Sequence, residues 1–160
     1  SAMRVRRVLL HATLWLALAA LAAGIYVHAT TAAETLPGPI RARVTQVIDG
    51  DTLAVQARIW LGQDVDIHVR LVGIDAPELK SKCAAERDAA LKARAMLAEL
   101  VGLGNGAGGE VILSDVRYDK YGGRVLARVA AQDGTDLANA LVALHLARPY
   151  DGKARMGWCG

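Results

Sequence analysis

Acidic side chains and an arginine concentrate near the ends of strands predicted in the first half of the chain. Asp51 follows a turn, Arg70 lies in the third predicted strand, and Asp75 and Glu78 come just beyond it. Carboxylate oxygens at a loop mouth suit a hard cation such as Ca²⁺, and an arginine offers two parallel donors to phosphate oxygens. A metal, arginines and one carboxylate base can together activate water and offset charge on a phosphoryl group. These residue types therefore indicate a site for phosphodiester hydrolysis.

Each of these residues also has an ordinary structural interpretation. Asp49, Gly50 and Asp51 form a tripeptide that is common in hairpin turns. Arg70 could be a solvated strand residue that pairs with Asp66. The functional interpretation is favoured because the turn, the arginine and the later acids occur together.

Three segments carry a resemblance to a known family, and they are specific in combination: Val47–Thr52 (VIDGDT), Arg70–Glu78 (RLVGIDAPE) and Asp119–Arg124 (DKYGGR). In order and spacing they resemble the staphylococcal nuclease (thermonuclease) family, and the likeness extends from about Val44 to Tyr150. The resemblance implies a Ca²⁺-dependent endonuclease that cuts DNA or RNA with little sequence specificity and leaves 3′-phosphate ends.

The resemblance also assigns a metal site. Asp51 and Asp75 would coordinate Ca²⁺ through their carboxylates, and the main-chain carbonyl of Ala76 would be a further ligand. Asp49 would lie in the outer shell. The best-known member has Thr at the position of Ala76, but a backbone ligand tolerates either side chain.

The catalytic and substrate-binding roles follow from the same resemblance. Glu78 would position or deprotonate the attacking water, and Arg70 and Arg124 would bind the phosphate and offset its growing charge. A flanking phosphate or sugar would be contacted by Lys120, Tyr121 and Tyr150. The chain departs from the family pattern at Gly123, which adds one residue before Arg124, and after Tyr150, where no second tyrosine follows closely.

Alternating apolar residues predict five strands that would position these side chains. They are expected over Arg41–Ile48, Leu53–Leu61, Val65–Leu71, Glu110–Val116 and Val125–Ala131. The first three follow one another directly and would form a meander.

Helical periodicity appears in two places. From Cys83 to Val101 the apolar positions share one face, made of Ala90, Ala93, Leu97 and Leu100. A second helix is expected after Thr135 or Asp136 as the N-cap, with Leu137, Leu141 and Leu144 buried. The order favours a mainly β, α+β fold: a five-stranded OB-type Greek-key barrel with two or three helices.

The first 33 residues have the features of a leader. Arg4, Arg6 and Arg7 precede an apolar stretch over residues 8–27, which predicts either a cleaved signal peptide or a membrane anchor, and so a periplasmic, secreted or membrane-anchored protein. Residues 34–39 would be a linker and residues 40–160 the nuclease domain. The formal charge of +3 comes from those three arginines, so 16 basic residues balance 16 acidic ones in the remainder. The net charge therefore gives no indication of nucleic-acid binding.

The chain contains two cysteines, Cys83 and Cys159. In an exported protein an even number of cysteines favours a disulfide. Two buried thiols or a pair of metal ligands are the alternatives.

Two classes of function remain open at the level of the sequence. The favoured one is a monomeric nuclease acting on DNA or RNA; the other is a catalytically silent OB-fold module that binds nucleic acid or a protein. The acids favour the enzyme, because they would repel the phosphates of a ligand that was merely bound. Aromatic residues make up only 4% of the chain, and Trp60 and Trp158 are expected to be packing residues rather than base-stacking platforms.

Overall fold

Five long strands form where apolar and polar residues alternate, and each ends within two residues of its predicted bounds. The computed structural model describes residues 33–105 and 108–159. The strands are β1 (Thr35–Leu36), β2 (Ile40–Asp49), β3 (Thr52–Trp60), β4 (Gln63–Leu71), β5 (Ile74–Asp75), β6 (Glu110–Tyr118), β7 (Arg124–Ala131) and β8 (Arg148–Pro149). The helices are α1 (Ala84–Leu100) and α2 (Leu137–Ala143), with one 3₁₀ turn at Leu103–Asn105.

The five long strands close into a barrel. β2, β3 and β4 form an antiparallel meander, and β6 pairs with the outer side of β2. β7 completes the ring, because it pairs antiparallel with β6 and parallel with β4. One parallel pair in an otherwise antiparallel, closed five-stranded barrel is consistent with the predicted OB type. The short strands β5 and β8 form a separate two-stranded sheet.

The first helix packs against the barrel through one apolar face. Ala90, Ala93 and Leu97 of α1 are fully buried, at the spacing that places them on one helix face. Arg94 of the same helix donates from Nε to the carbonyl of Val47, at 3.1 Å. The interior of the barrel is lined by aliphatic side chains, the largest of which are Leu53, Leu71, Leu113, Val44, Val55, Val69 and Val111.

The second helix is capped as predicted but is shorter than expected. The carboxylate of Asp136 accepts a hydrogen bond from the backbone of Asn139 at 2.9 Å. Leu137 and Leu141 are buried. Leu144 is 48% exposed, because the helix ends at Ala143, and its predicted burial is therefore wrong.

The β3–β4 hairpin extends beyond the barrel. β2 accompanies β3 only as far as Ala57, and β7 accompanies β4 only from His68 onward. Trp60 at the hairpin tip is consequently 71% exposed, and its predicted role in packing is wrong. Strand alternation alone does not reveal where a strand leaves the sheet that would bury it.

The predicted leader, interpreted as either a signal peptide or a membrane anchor, lies almost entirely outside the described residues. Within residues 33–105 and 108–159, no helix combines the length and apolarity needed to cross a membrane. Part of the predicted linker is structured, since Thr35 and Leu36 pair with Arg117 and Val116 of β6.

Candidate active site and metal centre

Strand pairing brings Asp51 and Arg70 together. Thr52, the first residue of β3, is the register partner of Arg70 in β4, and the backbone N–H of Leu71 donates to the carbonyl of Asp51 at 2.9 Å. Arg70 Nη2 lies 3.2 Å from Asp51 Oδ2 and 3.3 Å from the carbonyl oxygen of Ile74. The arginine is therefore held by a regular sheet on one side and by a backbone acceptor on the other.

Gly50 allows the turn that carries Asp51 to approach the rest of the protein closely. A Cβ atom at Gly50 would lie 2.8 Å from the Cβ of Ala93 and 2.9 Å from the Cβ of Ala76. The turn therefore packs closely between α1 and the segment after β5. This approach lets the backbone N–H of Ala76 donate to Asp51 Oδ2 at 3.2 Å.

The carboxylate of Asp51 is almost completely buried. Burial is the main cause that raises its pKa, to about 6, and the nearby charge of Asp49 raises it further. The guanidinium of Arg70 and the backbone N–H of Ala76 act in the opposite direction but do not offset the burial. A desolvated carboxylate of this kind gains stability from a bound cation.

Asp75 approaches the same arginine from a different element. It lies in β5, where it pairs with Arg148 of β8, and its side chain is buried. Asp75 Oδ1 lies 3.9 Å from Arg70 Nη2. The structure thus brings Asp51 and Asp75, which are distant in sequence, to one guanidinium at one end of the barrel.

A second arginine, Arg155, reaches this cluster from the C-terminal segment. Its Nε lies 2.6 Å and its Nη2 2.5 Å from Asp75 Oδ1. Nη2 also lies 3.4 Å from the carbonyl oxygen of Ala76, and Nη1 is in close contact with Glu78 Oε1. Three of the predicted metal-site and catalytic residues therefore share one guanidinium that the sequence interpretation did not include.

The C-terminal segment also contributes Trp158. Its indole N–H donates to Asp75 Oδ2 at 3.2 Å, and its ring lies 3.8 Å from the guanidinium carbon of Arg148. Cys159 follows directly and is joined to Cys83 by a disulfide, with the two Cα atoms 6.1 Å apart. Trp158 is therefore a contact of the acidic cluster as well as a packing residue.

The loop that carries Glu78 is organised by the first turn of α1. The Glu86 carboxylate accepts hydrogen bonds from the Glu78 backbone N–H at 3.0 Å and from the Ser81 hydroxyl at 2.5 Å. The hydrogen bond from Ser81 and then that from Glu78 hold the pKa of Glu86 below its ordinary value. The Glu78 side chain itself is 54% exposed, so solvent water can reach it.

The third predicted basic residue of the site, Arg124, is the first residue of β7, directly after the β6–β7 loop. Arg124 Nε is in close contact with Oδ2 of the buried Asp119. Burial would raise the pKa of Asp119, but the hydrogen bond and charge of Arg124 outweigh it and hold that pKa below the ordinary value. Gly122 and Gly123 both have positive φ, 66° and 67°, a conformation that glycine adopts readily, and the Asp119–Arg124 contact forms with the additional glycine present.

Aromatic rings lie beside three cations of the site. The guanidinium carbon of Arg124 is 5.5 Å, and Lys120 Nζ is 5.0 Å, from the centre of the exposed Tyr121 ring. On the other side, the Arg70 guanidinium lies 5.9 Å from the ring of Tyr150, whose hydroxyl donates to the carbonyl of Lys153 at 2.6 Å.

One open cleft of about 1230 Å³ collects nearly all the predicted site residues, and its size exceeds that of a typical small-ligand pocket. Asp75 borders a smaller adjoining cavity, which shares Gly73 and Tyr150 with the cleft. The predicted residues that line the cleft are Asp49, Asp51, Arg70, Ala76, Glu78, Lys120, Tyr121, Arg124 and Tyr150.

The donor set between this cleft and the adjoining cavity fits a hard cation. Asp51 and Asp75 supply buried carboxylates, and Ala76 supplies a carbonyl oxygen, all of which lie against guanidinium groups. Asp49 does not contact the arginines in the same way: its Oδ1 accepts from the backbone N–H of Asp51 at 3.1 Å. An all-oxygen set with mixed carboxylates and a carbonyl is typical of Ca²⁺.

Another group of potential ligands has a different explanation. Ligand atoms of Cys83, Glu86 and Cys159 lie within 4.8 Å of one another. The two sulfur atoms are bonded to each other, so neither is a thiolate that could bind a metal. This group is a disulfide beside a carboxylate.

The chain matches one protein family. The sequence model described as Staphylococcal nuclease homologue matches residues 68–156, which is more than half of the chain. The matched part includes Arg70, Asp75, Glu78 and Arg124. No curated protein matches the chain.

Proposed function

We infer that this chain, which belongs to the staphylococcal nuclease homologue family, is a calcium-dependent endonuclease that hydrolyses phosphodiester bonds of DNA or RNA with little sequence specificity. The observation that carries the proposal is the convergence of buried Asp51 and Asp75 on Arg70, which itself lines an open cleft. Buried carboxylates beside a phosphate-binding arginine would repel the phosphate unless they held a cation.

Asp51, Asp75 and the carbonyl of Ala76 would hold the calcium ion, with Asp49 in the outer shell. Bound Ca²⁺ would supply positive charge to the phosphoryl oxygens as negative charge develops there. The site's own residues do the remaining work.

Glu78 is the proposed general base. Its carboxylate is accessible from solvent, and its backbone is fixed by Glu86. In the proposed step it holds a water molecule and accepts its proton as the water oxygen bonds to phosphorus. The P–O5′ bond breaks and the O5′ atom takes up a proton, which leaves a 3′-phosphate and a 5′-hydroxyl.

Arg70 and Arg124 are the proposed phosphate ligands. Arg70 would donate to an oxygen of the reacting phosphoryl group from a position fixed by β4. Arg124 uses Nε for Asp119, so its terminal nitrogens are the proposed donors to the phosphate. Lys120, Tyr121 and Tyr150 line the same cleft and would contact the flanking phosphate or sugar.

A binding module on the same fold is the alternative. Such a module would use cations and aromatic rings to attract the backbone of a nucleic acid. Buried Asp51 and Asp75 oppose that use, because their charge repels phosphate. The enzyme is therefore the better interpretation of the same cleft.

We also propose that the protein is exported and acts as a monomer, with residues 1–33 as a cleaved signal peptide or a membrane anchor. The Cys83–Cys159 disulfide supports export, because disulfides persist mainly outside the cytoplasm.

The test is to incubate the purified protein with end-labelled single-stranded DNA and RNA in calcium, and again in excess chelator. Cleavage is expected in calcium alone, and the fragments should be labelled at their 5′-hydroxyls by polynucleotide kinase without phosphatase treatment. Undiminished cleavage in chelator would contradict the calcium requirement. Binding without cleavage of any substrate in calcium would favour the binding module.

A further inference from the structure

Arg155 contacts the same oxygens that the proposed function assigns to calcium and to the general base. Its guanidinium touches Asp75 Oδ1, the carbonyl oxygen of Ala76 and Glu78 Oε1. A guanidinium and a calcium ion in this place would compete for these oxygens. While Arg155 remains there, Glu78 Oε1 accepts from it and is not free to hold the attacking water.

We propose that Arg155 is an internal cation that competes with Ca²⁺ for the acidic cluster, so that the C-terminal segment acts as an autoinhibitory arm. This inference rests on the proposed function for the identity of the competing cation. The arm is residues 154–159, which carry Arg155, Trp158 and Cys159.

The two arginines of the cluster differ in how they are held. Arg70 belongs to a barrel strand, and its side chain is 14% exposed. Arg155 belongs to a segment without regular secondary structure, and its side chain is 43% exposed. Arg155 is therefore the one that can leave without disturbing the barrel, and it also borders the cleft into which it would move.

Four contacts keep the arm next to the cluster. Trp158 donates to Asp75 Oδ2 and stacks on Arg148, whose Nη1 donates to the carbonyl of Gly157 at 3.0 Å. The disulfide joins Cys159 to Cys83, only five residues beyond Glu78. The tether holds Arg155 at a high effective concentration near Asp75 and Glu78, which strengthens its competition with a soluble ion.

The direct test measures calcium binding by isothermal titration calorimetry in the Arg155→Gln variant. The variant should bind Ca²⁺ at least about tenfold more tightly than the unaltered protein, the equivalent of one charge-assisted hydrogen bond. The matched control is Lys153→Gln, which removes the same charge from the same segment. The Lys153 side chain is 85% exposed and pairs with Asp151, so its loss should change calcium affinity by less than about twofold.

Thermal melting provides a second readout that does not involve turnover. Without calcium, Arg155→Gln should melt at a lower temperature than the unaltered protein, because buried Asp75 loses its nearest cationic partner. Saturating calcium should then raise its melting temperature by more than it raises that of the unaltered protein. Equal calcium-induced shifts in both proteins would overturn the inference and leave the proposed function standing. Calcium that shifts neither protein would contradict the cofactor as well.

Reduction of the disulfide tests whether calcium affinity depends on the tethered arm or only on the positive charge of Arg155. Reducing the unaltered protein should tighten calcium binding, because the tether that concentrates Arg155 is lost. Reducing Arg155→Gln should leave its affinity unchanged, because no competing cation remains to be released. An equal effect of reduction on both proteins would contradict the proposed arm, and circular dichroism on each sample would establish that the barrel stays folded.

Discussion

Arg70 Nη2 lies 3.2 Å from Asp51 Oδ2, and the register of β3 against β4 determines this contact. The two side chains are 14% and 9% exposed, so the pair is largely removed from water. A donor positioned by a barrel strand needs little rearrangement when charge develops on a phosphate. Because such a donor is already in place, removing it lowers kcat strongly.

Replacing Arg70 by Lys should therefore lower kcat by at least about 100-fold, the scale of losing one preorganised donor. The substitution keeps the charge but loses the fork that reaches Asp51, Ile74 and a phosphate at once. Steady-state cleavage of a labelled oligonucleotide in saturating calcium measures the effect. Arg58→Lys is the control, since Arg58 lies in β3 and pairs with Asp64 on the surface; turnover within about twofold of normal is expected there. Near-normal kcat in Arg70→Lys would show that this arginine does not act on the reacting phosphate.

Glu78→Gln should lower kcat by about 10²- to 10⁴-fold, the usual contribution of a general base. Calcium affinity should stay within a few-fold, because Glu78 is proposed to act through water. Single-turnover cleavage and calorimetry measure the two quantities on the same samples. Glu110→Gln is a suitable control, as Glu110 lies at the start of β6 and contacts Gln132 on the surface. A variant that lost calcium binding to the same extent as turnover would place Glu78 among the metal ligands instead.

Much of the barrel and half of the acidic cluster could be predicted because their causes are local in sequence. Apolar alternation predicted β2, β3 and β4, and the tight turn between the first two predicted where Asp51 would lie. Once those strands pair, Asp51 must be next to Arg70. Turn chemistry and a period of two are properties of adjacent residues, and they are visible in a single sequence.

Arg155 and Trp158 were missed as members of the site for the opposite reason. Their segment has no periodicity, and its position depends on contacts with residues about 80 positions earlier. One signal was available in the sequence. Arg155 comes four residues before Cys159 and Glu78 five residues before Cys83, so a bond between the two cysteines would bring Arg155 close to Glu78 in space.

Gly50→Ala should destabilise the protein by about 1 to 3 kcal/mol, the range for overpacking a close contact. The new Cβ would lie 2.8 and 2.9 Å from the Cβ atoms of Ala93 and Ala76, neither of which can rotate away. Because Asp51 is the next residue, calcium affinity should fall together with stability. Urea unfolding and calorimetry measure both. Gly157→Ala, where the nearest atom is 4.0 Å away, is the control for stability alone, because Gly157 belongs to the C-terminal arm. Normal stability in Gly50→Ala would show that the turn does not need its close approach to α1.

The raised pKa of Asp51 gives stability without calcium a specific dependence on pH. Unfolded, Asp51 loses its proton near its ordinary pKa of 3.8, whereas in the folded protein it keeps the proton up to about pH 6. Between these values the folded state binds more protons than the unfolded state, so stability falls as pH rises from about 4 to about 6.

The contribution of Asp51 should be on the order of 3 kcal/mol, about 1.4 kcal/mol for each pH unit between 3.8 and 6, and it is isolated by comparing the protein with Asp51→Asn. Urea unfolding in chelator at several pH values between 4 and 7 gives the two profiles. Asp119 is paired with Arg124 and not with Asp51, so its contribution is the same in both proteins and cancels in the difference. The free energy of unfolding of Asp51→Asn minus that of the unaltered protein should increase as pH rises to 6. Above pH 6 this difference should stay constant. Parallel profiles would mean that Asp51 ionises at its ordinary pKa. Saturating calcium should recover most of the loss in the unaltered protein only, because a cation favours the ionised carboxylate.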